Sequence, residues 1–305
     1  MQNRLTVILL TFNEEQNLPE CFESIKTLNA NLFVVDSFST DGTVEFLKKN
    51  QINYVQHPFE NYANQRNWAQ QHNPFNTEWV FHLDAGERFT EELTDWLKNK
   101  FDPENNLADG YMFSRRTMIF GKEVYHGGQY PNFHLRLFRA VKGKCEEKLY
   151  DQHFVVAGNV KAIKHRIDII DTVLDSWHNF IEAHNRWALY EAIEIVKQNQ
   201  ADTGEVKSRL FGSPIERRRW FKNNIFQKAP LFIRSLLFFL YRYIFRFGFL
   251  DGKTGLAFHF LQGFWFRFLI DANVLEIRVK LPTYHNSLKE LVFHEYGEKF
   301  VRLVE

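Results

Sequence analysis

The chain lacks most of the features that quickly place a protein in a class. Of 305 residues only two are cysteine, Cys21 and Cys145, and neither stands in a His/Cys cluster. That speaks against a disulfide framework, and both thiols read as reduced and inert in a cytosolic protein. Charge of one sign is also missing: a net +1 argues against a general nucleic-acid binder. The apolar stretch Leu5 to Phe12 is too short for a secretory signal and runs straight into Asn13-Glu14-Glu15. Internal repeats and low-complexity tracts are absent. The twelve histidines show no convincing metal spacing with acids, so no zinc site is expected. Nor is there a clean membrane span: Pro230 to Leu250 is about long enough, but Arg234, Arg242 and Arg246 interrupt it, and charge at mid-bilayer is costly.

What is present is unevenly spread. Fourteen of the 32 phenylalanines lie between residues 207 and 275. Between Lys207 and Lys253 there are eleven Lys/Arg against two acids, Glu216 and Asp251, a local +9 that leaves −8 for the rest. The two ends of the molecule therefore differ in chemistry.

The first half alternates strand-like and helix-like segments. RLTVILLTF (4–12), LFVVD (32–36), INYVQH (52–57) and WVFHLD (79–84) are near-continuous apolar runs. Between them NLPECFESIKTL, residues 44–50 and NYANQRNWAQQH have helical spacing, and EELTDWLKNKF follows the last. Continuous rather than alternating apolarity, interleaved with helices, predicts a parallel sheet in an α/β fold. Beyond Gly110 the pattern is mixed, with strands expected at YMFSRRTMIF and FHLRLFRA and a helix over 175–198. Polar groups stand at three predicted strand ends: Asn13-Glu14, Asp36 and Asp84. Parallel strands bring their C-terminal ends to one edge, where open α/β sheets bind ligands. Any one of these groups by itself reads as a solvated turn residue; three together point to one crevice.

TFNEEQNL, VVDSFSTDGT, ANQRNWA and HLDAGERFT resemble, in order and spacing, the motifs of family 2 glycosyltransferases with the GT-A fold. Over about residues 4–185 the chain looks like the branch that builds bacterial lipopolysaccharide core and surface polysaccharide. The resemblance implies a Rossmann-like nucleotide-sugar domain over 1–205 with a mostly parallel sheet, an amphipathic membrane-associating region over 206–275, and a tail over 276–305 with no assigned role. It implies an inverting enzyme that moves a hexose from a UDP-linked donor to a lipid-linked glycan at the cytoplasmic face of the inner membrane. A catalytically degenerate, nucleotide-binding subunit of a polysaccharide assembly is the alternative.

For the donor, the resemblance implies Asp36 as acceptor of the base N–H, and Thr11, Asn13 and Glu14 lining ribose and base. Ser39 and Asp41 lie in a turn that offers hydroxyls and N–H groups to ribose and phosphates, although a plain Asp-Gly turn would read the same. Arg66 would point its cation into the crevice or lie on the surface of its helix. The family's Asp-x-Asp, which holds Mg²⁺ or Mn²⁺ against the donor diphosphate, is here Asp84-Ala85-Gly86-Glu87. A divalent cation is therefore expected on Asp84, with Glu87 either a second ligand or a helix-entry acid. In-line attack by the acceptor hydroxyl requires one general base. The related Asp-Glu-His-Phe stretch is Asp151-Gln152-His153-Phe154 here, so Asp151 is the expected base and His153 a weaker one. His126, Tyr130 and Arg136 of FGKEVYHGGQYPNFHLRLFR would line the acceptor side, and His165 is a further candidate.

In the last third, about 100° per residue places Arg234, Arg242 and Arg246 on one helix face. A basic stripe opposite a Phe/Leu/Tyr face predicts a helix lying in the plane of an anionic membrane. A soluble aromatic core or an oligomer interface remain open as alternatives.

Overall fold

The computed structural model describes residues 4–148, 152–164, 166–174, 176–198 and 208–304. The chain divides into two compact units. The first comprises most of the chain up to residue 173; the second is built chiefly of Tyr125–Gly128 and Leu174–Glu305. The expected three-part division therefore gives way to two units, with the four-residue loop Tyr125–Gly128 counted in the second.

The first unit opens with β1 (Leu5–Thr11), α1 (Leu18–Ile25), β2 (Asn31–Asp36), α2 (Thr43–Lys49), β3 (Asn53–Gln56), α3 (Tyr62–Gln71) and β4 (Trp79–Asp84). β1, β2, β3 and β4 are parallel and run in the order β3-β2-β1-β4. β1 and β4 are buried almost throughout, which explains their unbroken apolarity. Helix starts follow local chemistry. Asn61 Oδ1 accepts the Asn64 N–H at 2.9 Å to cap α3, and Thr90 Oγ1 accepts the Leu93 N–H at 3.2 Å to cap the helix Glu91–Asn99.

After β4 come β5 (Glu87–Phe89), α4 (Glu91–Asn99), β6 (Gly110–Ile119), β7 (Lys122–Val124), β8 (Phe133–Arg139), β9 (Gly143–Cys145), β10 (Phe154–Val156), β11 (Val160–Ala162) and β12 (Asp168–Leu174). Here the sheet changes character. β8 pairs antiparallel with β4, β6 antiparallel with β8, and β5 antiparallel with β12. The result is a mixed rather than mostly parallel sheet. Its core joins Val7, Leu9, Val34, Trp79, Phe81, Leu83, Phe113 and Leu137. Both cysteines are free and buried, and burial drives the Cys21 thiol far above its ordinary range.

The second unit contains α5 (Trp177–Gln198), α6 (Pro214–Phe221), α7 (Ile233–Leu240), α8 (Gly252–Phe258), α9 (Phe266–Lys280) and α10 (Leu288–Tyr296). Ser213 and Glu216 form a reciprocal capping box at α6, with Pro214 at its first position. Three π-helical segments, Lys222–Phe226, Tyr241–Phe245 and His259–Trp265, extend or precede these helices. The core packs α5 on α9 and α10 through Ala188, Ala192, Phe266, Ile270, Val274, Leu291 and Val292. The expected separate tail over 276–305 is thus part of this unit.

The expected basic stripe is not formed. Arg234 is buried, donates through Nε to Asp271 Oδ1 at 2.8 Å, and lies over the Phe226 ring. Arg242 is buried between the Phe238 and Phe258 rings and donates through Nε to Gly127 O at 2.8 Å. Arg246, where the helix ends, is exposed. What faces outward is apolar: Ile233, Leu236, Leu237, Tyr241, Ile244, Phe245, Phe247, Phe249 and Leu250. Helical spacing identified one arginine face but not its direction, and the acid that turns Arg234 inward lies 37 residues away on α9. Among the described residues no helix is long and apolar enough to cross a membrane.

Candidate active site

The C-terminal ends of β2, β1 and β4 lie side by side, with Thr11 opposite Asp36 and Leu10 opposite Asp84. The loops that follow β1 and β2 are joined by hydrogen bonds. The Asn13 N–H donates to Ser39 Oγ at 2.9 Å, and Asn13 Oδ1 accepts the Thr40 N–H at 2.8 Å. The Glu14 N–H donates to Thr43 Oγ1 at 2.8 Å. The Glu15 N–H donates to Asp41 Oδ2 at 3.1 Å, and Glu15 Oε2 accepts the Gly42 N–H at 2.7 Å. Asn13 takes φ 55°, in the left-handed region that Asn tolerates best after Gly. Burial pushes the Asp41 carboxyl upward, but hydrogen bonds from Thr43 and from the Glu15 N–H together outweigh it and hold the group below its usual range.

Asp36 is fully buried and its carboxylate is saturated. Oδ1 accepts Thr11 Oγ1 at 3.0 Å and Ser39 Oγ at 2.5 Å. Oδ2 accepts the Ser39 N–H at 2.9 Å and Gln56 Nε2 at 3.0 Å. A carboxylate has about four lone-pair sites, so a base N–H reaches Asp36 only by displacing one of these partners. Thr11 and Ser39, expected on the donor, here fix Asp36.

The α3 motif locks its helix to the sheet. Gln65 pairs with His57 Nδ1 at 2.8 Å and donates to Ser37 Oγ at 3.1 Å. Asn67 makes two bonds to the Cys145 backbone, at 3.0 and 2.8 Å. Gln70 donates to the Ala140 and Gly143 carbonyls, both at 2.7 Å. These roles were invisible in sequence, because most of the partners come from distant segments.

Arg66 does turn into the crevice. Its Nη2 donates to Asp84 Oδ1 at 3.1 Å, and its guanidinium lies 5.5 Å from both the Tyr62 and Phe154 ring centres. Arg136, expected on the acceptor side, belongs to the same cluster. Its Nη2 bridges Asp84 Oδ2 at 3.0 Å and Glu87 Oε1 at 2.5 Å. β8 lies next to β4, which puts Arg136 beside the end of that strand. Two more charges complete the group: Arg115 Nε lies 3.0 Å from Asp171 Oδ2, and its Nη1 lies 3.7 Å from Glu87 Oε1. Neither Arg115 nor Asp171 was among the expected site residues.

Glu87 is not a helix-entry acid. It belongs to β5, its side chain is only 2% exposed, and Oε2 accepts the Asp84 backbone N–H at 3.0 Å. Burial raises its carboxyl to about 7, against the pull of Arg136. For Asp84 burial also pushes upward, but Arg66 and Arg136 overcome it and hold the group far below the carboxylate range. Gly86 is not demanded by space, since a Cβ there would meet only Thr172 O at 3.7 Å.

This arrangement does not fit a resident divalent cation. Glu87 faces inward with both oxygens engaged. Asp84 offers one carboxylate whose two oxygens already accept guanidinium hydrogen bonds. Among the described residues no group of three or more His, Cys, Asp or Glu is placed to hold a metal.

The remaining expected residues are dispersed. His153 Nδ1 lies 3.3 Å from Oε1 of the buried Glu146. Tyr130 donates through its hydroxyl to Asp168 Oδ2 at 3.0 Å. His126 belongs to the second unit, where Nδ1 lies 2.6 Å from Asp251 Oδ1. Asp151 and His165 lie outside the described residues.

Residues 6–148 match the sequence profile of glycosyl transferase family 2. An uncharacterized glycosyltransferase of Rickettsia prowazekii is 28% identical over 51% of this chain and 49% of its own length. One of Rickettsia typhi has the same identity and coverage. The chain thus spans about half the length of these curated relatives. Among solved structures, TarS 1-349 of S. aureus is 16% identical, with 92% of each chain covered and a TM-score of 0.43. Residues 6–148, an α/β, Rossmann-like sheet with a strand-end crevice, thus resemble glycosyl transferase family 2 over just under half of the chain.

Proposed function

We propose that the protein is an inverting glycosyltransferase. It takes a hexose from a UDP-linked donor and passes it to a lipid-linked glycan of bacterial surface polysaccharide or lipopolysaccharide, working peripherally at the cytoplasmic face of the inner membrane. The observation that carries the donor half is the convergence of Thr11, Asp36, Arg66 and Asp84 on one sheet edge, the edge where open α/β sheets bind nucleotides. The loops at residues 13–15 and 37–43, cross-linked by their own hydrogen bonds, border that edge where a ribose and diphosphate would lie. Asp151 stays the preferred base.

The membrane half rests on the outward apolar face of α7 and the segments after it. Fourteen of the exposed large apolar side chains lie between Phe221 and Phe268. Such a concentration of exposed large apolar side chains supports an interaction site. Cationic Arg217, Arg218, Lys228, Arg246 and Lys253 are exposed in the same segment, which favours an anionic lipid surface over another protein.

Co-sedimentation of the full chain with phosphatidylglycerol-containing and with neutral vesicles tests the membrane reading. Preferential pelleting with anionic vesicles, lowered several-fold by the double variant Leu237→Glu/Phe245→Glu, is expected. Equal partition of both proteins into the supernatant would refute the lipid surface. Transfer of labelled hexose from UDP-sugars into a lipid-extractable product tests the activity.

A further inference from the structure

We infer that this chain neutralises the donor diphosphate with guanidinium groups, Arg66 and Arg136, and not with a divalent cation bridging diphosphate and protein. The inference rests on the nucleotide-sugar reading above and specifies how that site handles the negative charge of its donor.

Three observations carry it. The first is the loss of protein ligands. Gly86 supplies no carboxylate, and Glu87 is turned away from the crevice, held by the Asp84 backbone N–H and by Arg136. Only Asp84 remains, and a metal on it must first displace both arginines.

The second is charge. Arg66, Arg115 and Arg136 are matched within the cluster by Asp84, Glu87 and Asp171. Each of the three guanidiniums already faces a carboxylic group, so a dication that took Asp84 would strip Arg66 of its partner and enter beside three cations in a largely buried place. Like charges in such surroundings repel far more strongly than in water.

The third is the state of the arginines. Arg66 Nε is buried without a hydrogen-bond partner. The guanidinium is held by the Tyr62 and Phe154 rings, with its Nη2 turned toward Asp84. The Asp84 side chain is 36% exposed, whereas those of Arg66 and Arg136 are 13% and 5% exposed. The more accessible partner is therefore the acid. Asp84 occupies the position of an anion, and a phosphate oxygen arriving from solvent accepts the same N–H groups while the carboxylate turns out to water. Guanidinium is suited to this exchange because its planar fork matches carboxylate and phosphate alike.

This exchange reverses the usual consequence of removing the aspartate. If Asp84 held a metal, Asp84→Asn would abolish nucleotide binding. If Asp84 competes with the diphosphate for Arg66 and Arg136, Asp84→Asn leaves binding intact or tightens it.

The test is calorimetric titration of UDP into the full chain, in EDTA and again in Mn²⁺, for wild type, Asp84→Asn and Arg66→Gln. The expected result is equal affinity in EDTA and Mn²⁺, unchanged or tighter binding by Asp84→Asn, and binding weakened roughly tenfold or more by Arg66→Gln. Circular dichroism of each variant confirms that it is folded. Binding that requires Mn²⁺ and is lost in Asp84→Asn overturns the inference and leaves the nucleotide-sugar reading standing. No UDP binding in either condition overturns both.

Discussion

Asp271 of α9 holds the apolar face of α7 outward, and its removal has a calculable cost. The carboxylate is buried and accepts from Arg234 Nε at 2.8 Å, the Phe232 N–H at 2.7 Å and Ser235 Oγ at 3.1 Å, with Arg234 Nη2 closer still. Asp271→Ala strands a buried guanidinium, and breaking one side of a buried ion pair costs about 3–5 kcal/mol. Arg234→Met leaves the opposite charge behind and should cost a similar amount. The double variant removes both charges but still leaves the Phe232 N–H and the Ser235 hydroxyl without their acceptor, at about 1–3 kcal/mol each. At mid-range values the two single losses together exceed the double loss by about 4 kcal/mol. Urea unfolding followed by tryptophan fluorescence and by far-ultraviolet dichroism measures all four proteins, and coincidence of the two probes checks that one transition is being read. Single-variant losses under about 1 kcal/mol, or additivity within about 0.5 kcal/mol, would show that the pair does not hold the helix as argued.

Two further outcomes follow from the same geometry. Glu87 has a folded-state pKa of about 7 against an ordinary 4.5, so the folded protein binds more protons than the unfolded chain between these values. Its contribution to stability is complete below about pH 4.5 and is lost as pH rises through 7, by roughly 3 kcal/mol at 1.36 kcal/mol per unit. Wild type should accordingly lose stability relative to Glu87→Gln between pH 5 and pH 9 in urea titrations, and parallel pH dependences would contradict this. Gly127 takes φ +65°, and a Cβ there would lie 2.2 Å from Cε1 of the buried His259. Gly127→Ala should therefore cost about 2–4 kcal/mol in the same assay, from left-handed strain plus overpacking, and a loss under about 1 kcal/mol would mean the loop shifts freely.

Much of the donor side was legible before any coordinates. Unbroken apolar runs mark strands buried on both faces, and parallel strands share an edge, so Asn13, Asp36 and Asp84 had to meet. That follows from local periodicity and chain direction. The family motifs fix the same edge.

Only the tertiary structure decided what those side chains touch. Asp84 looked like a metal ligand until β8, arriving antiparallel beside β4, brought Arg136 against it. Glu87 looked like the start of a helix until β5 paired with β12 and turned it inward. Arg234 and Arg242 formed a plausible outer stripe until Asp271 and the Gly127 carbonyl drew them inside and left the apolar residues facing out. In each case the deciding partner lies more than thirty residues away. Periodicity reports which residues share a face, but the direction of that face is set by desolvation and pairing of buried charge, which depend on segments remote in sequence.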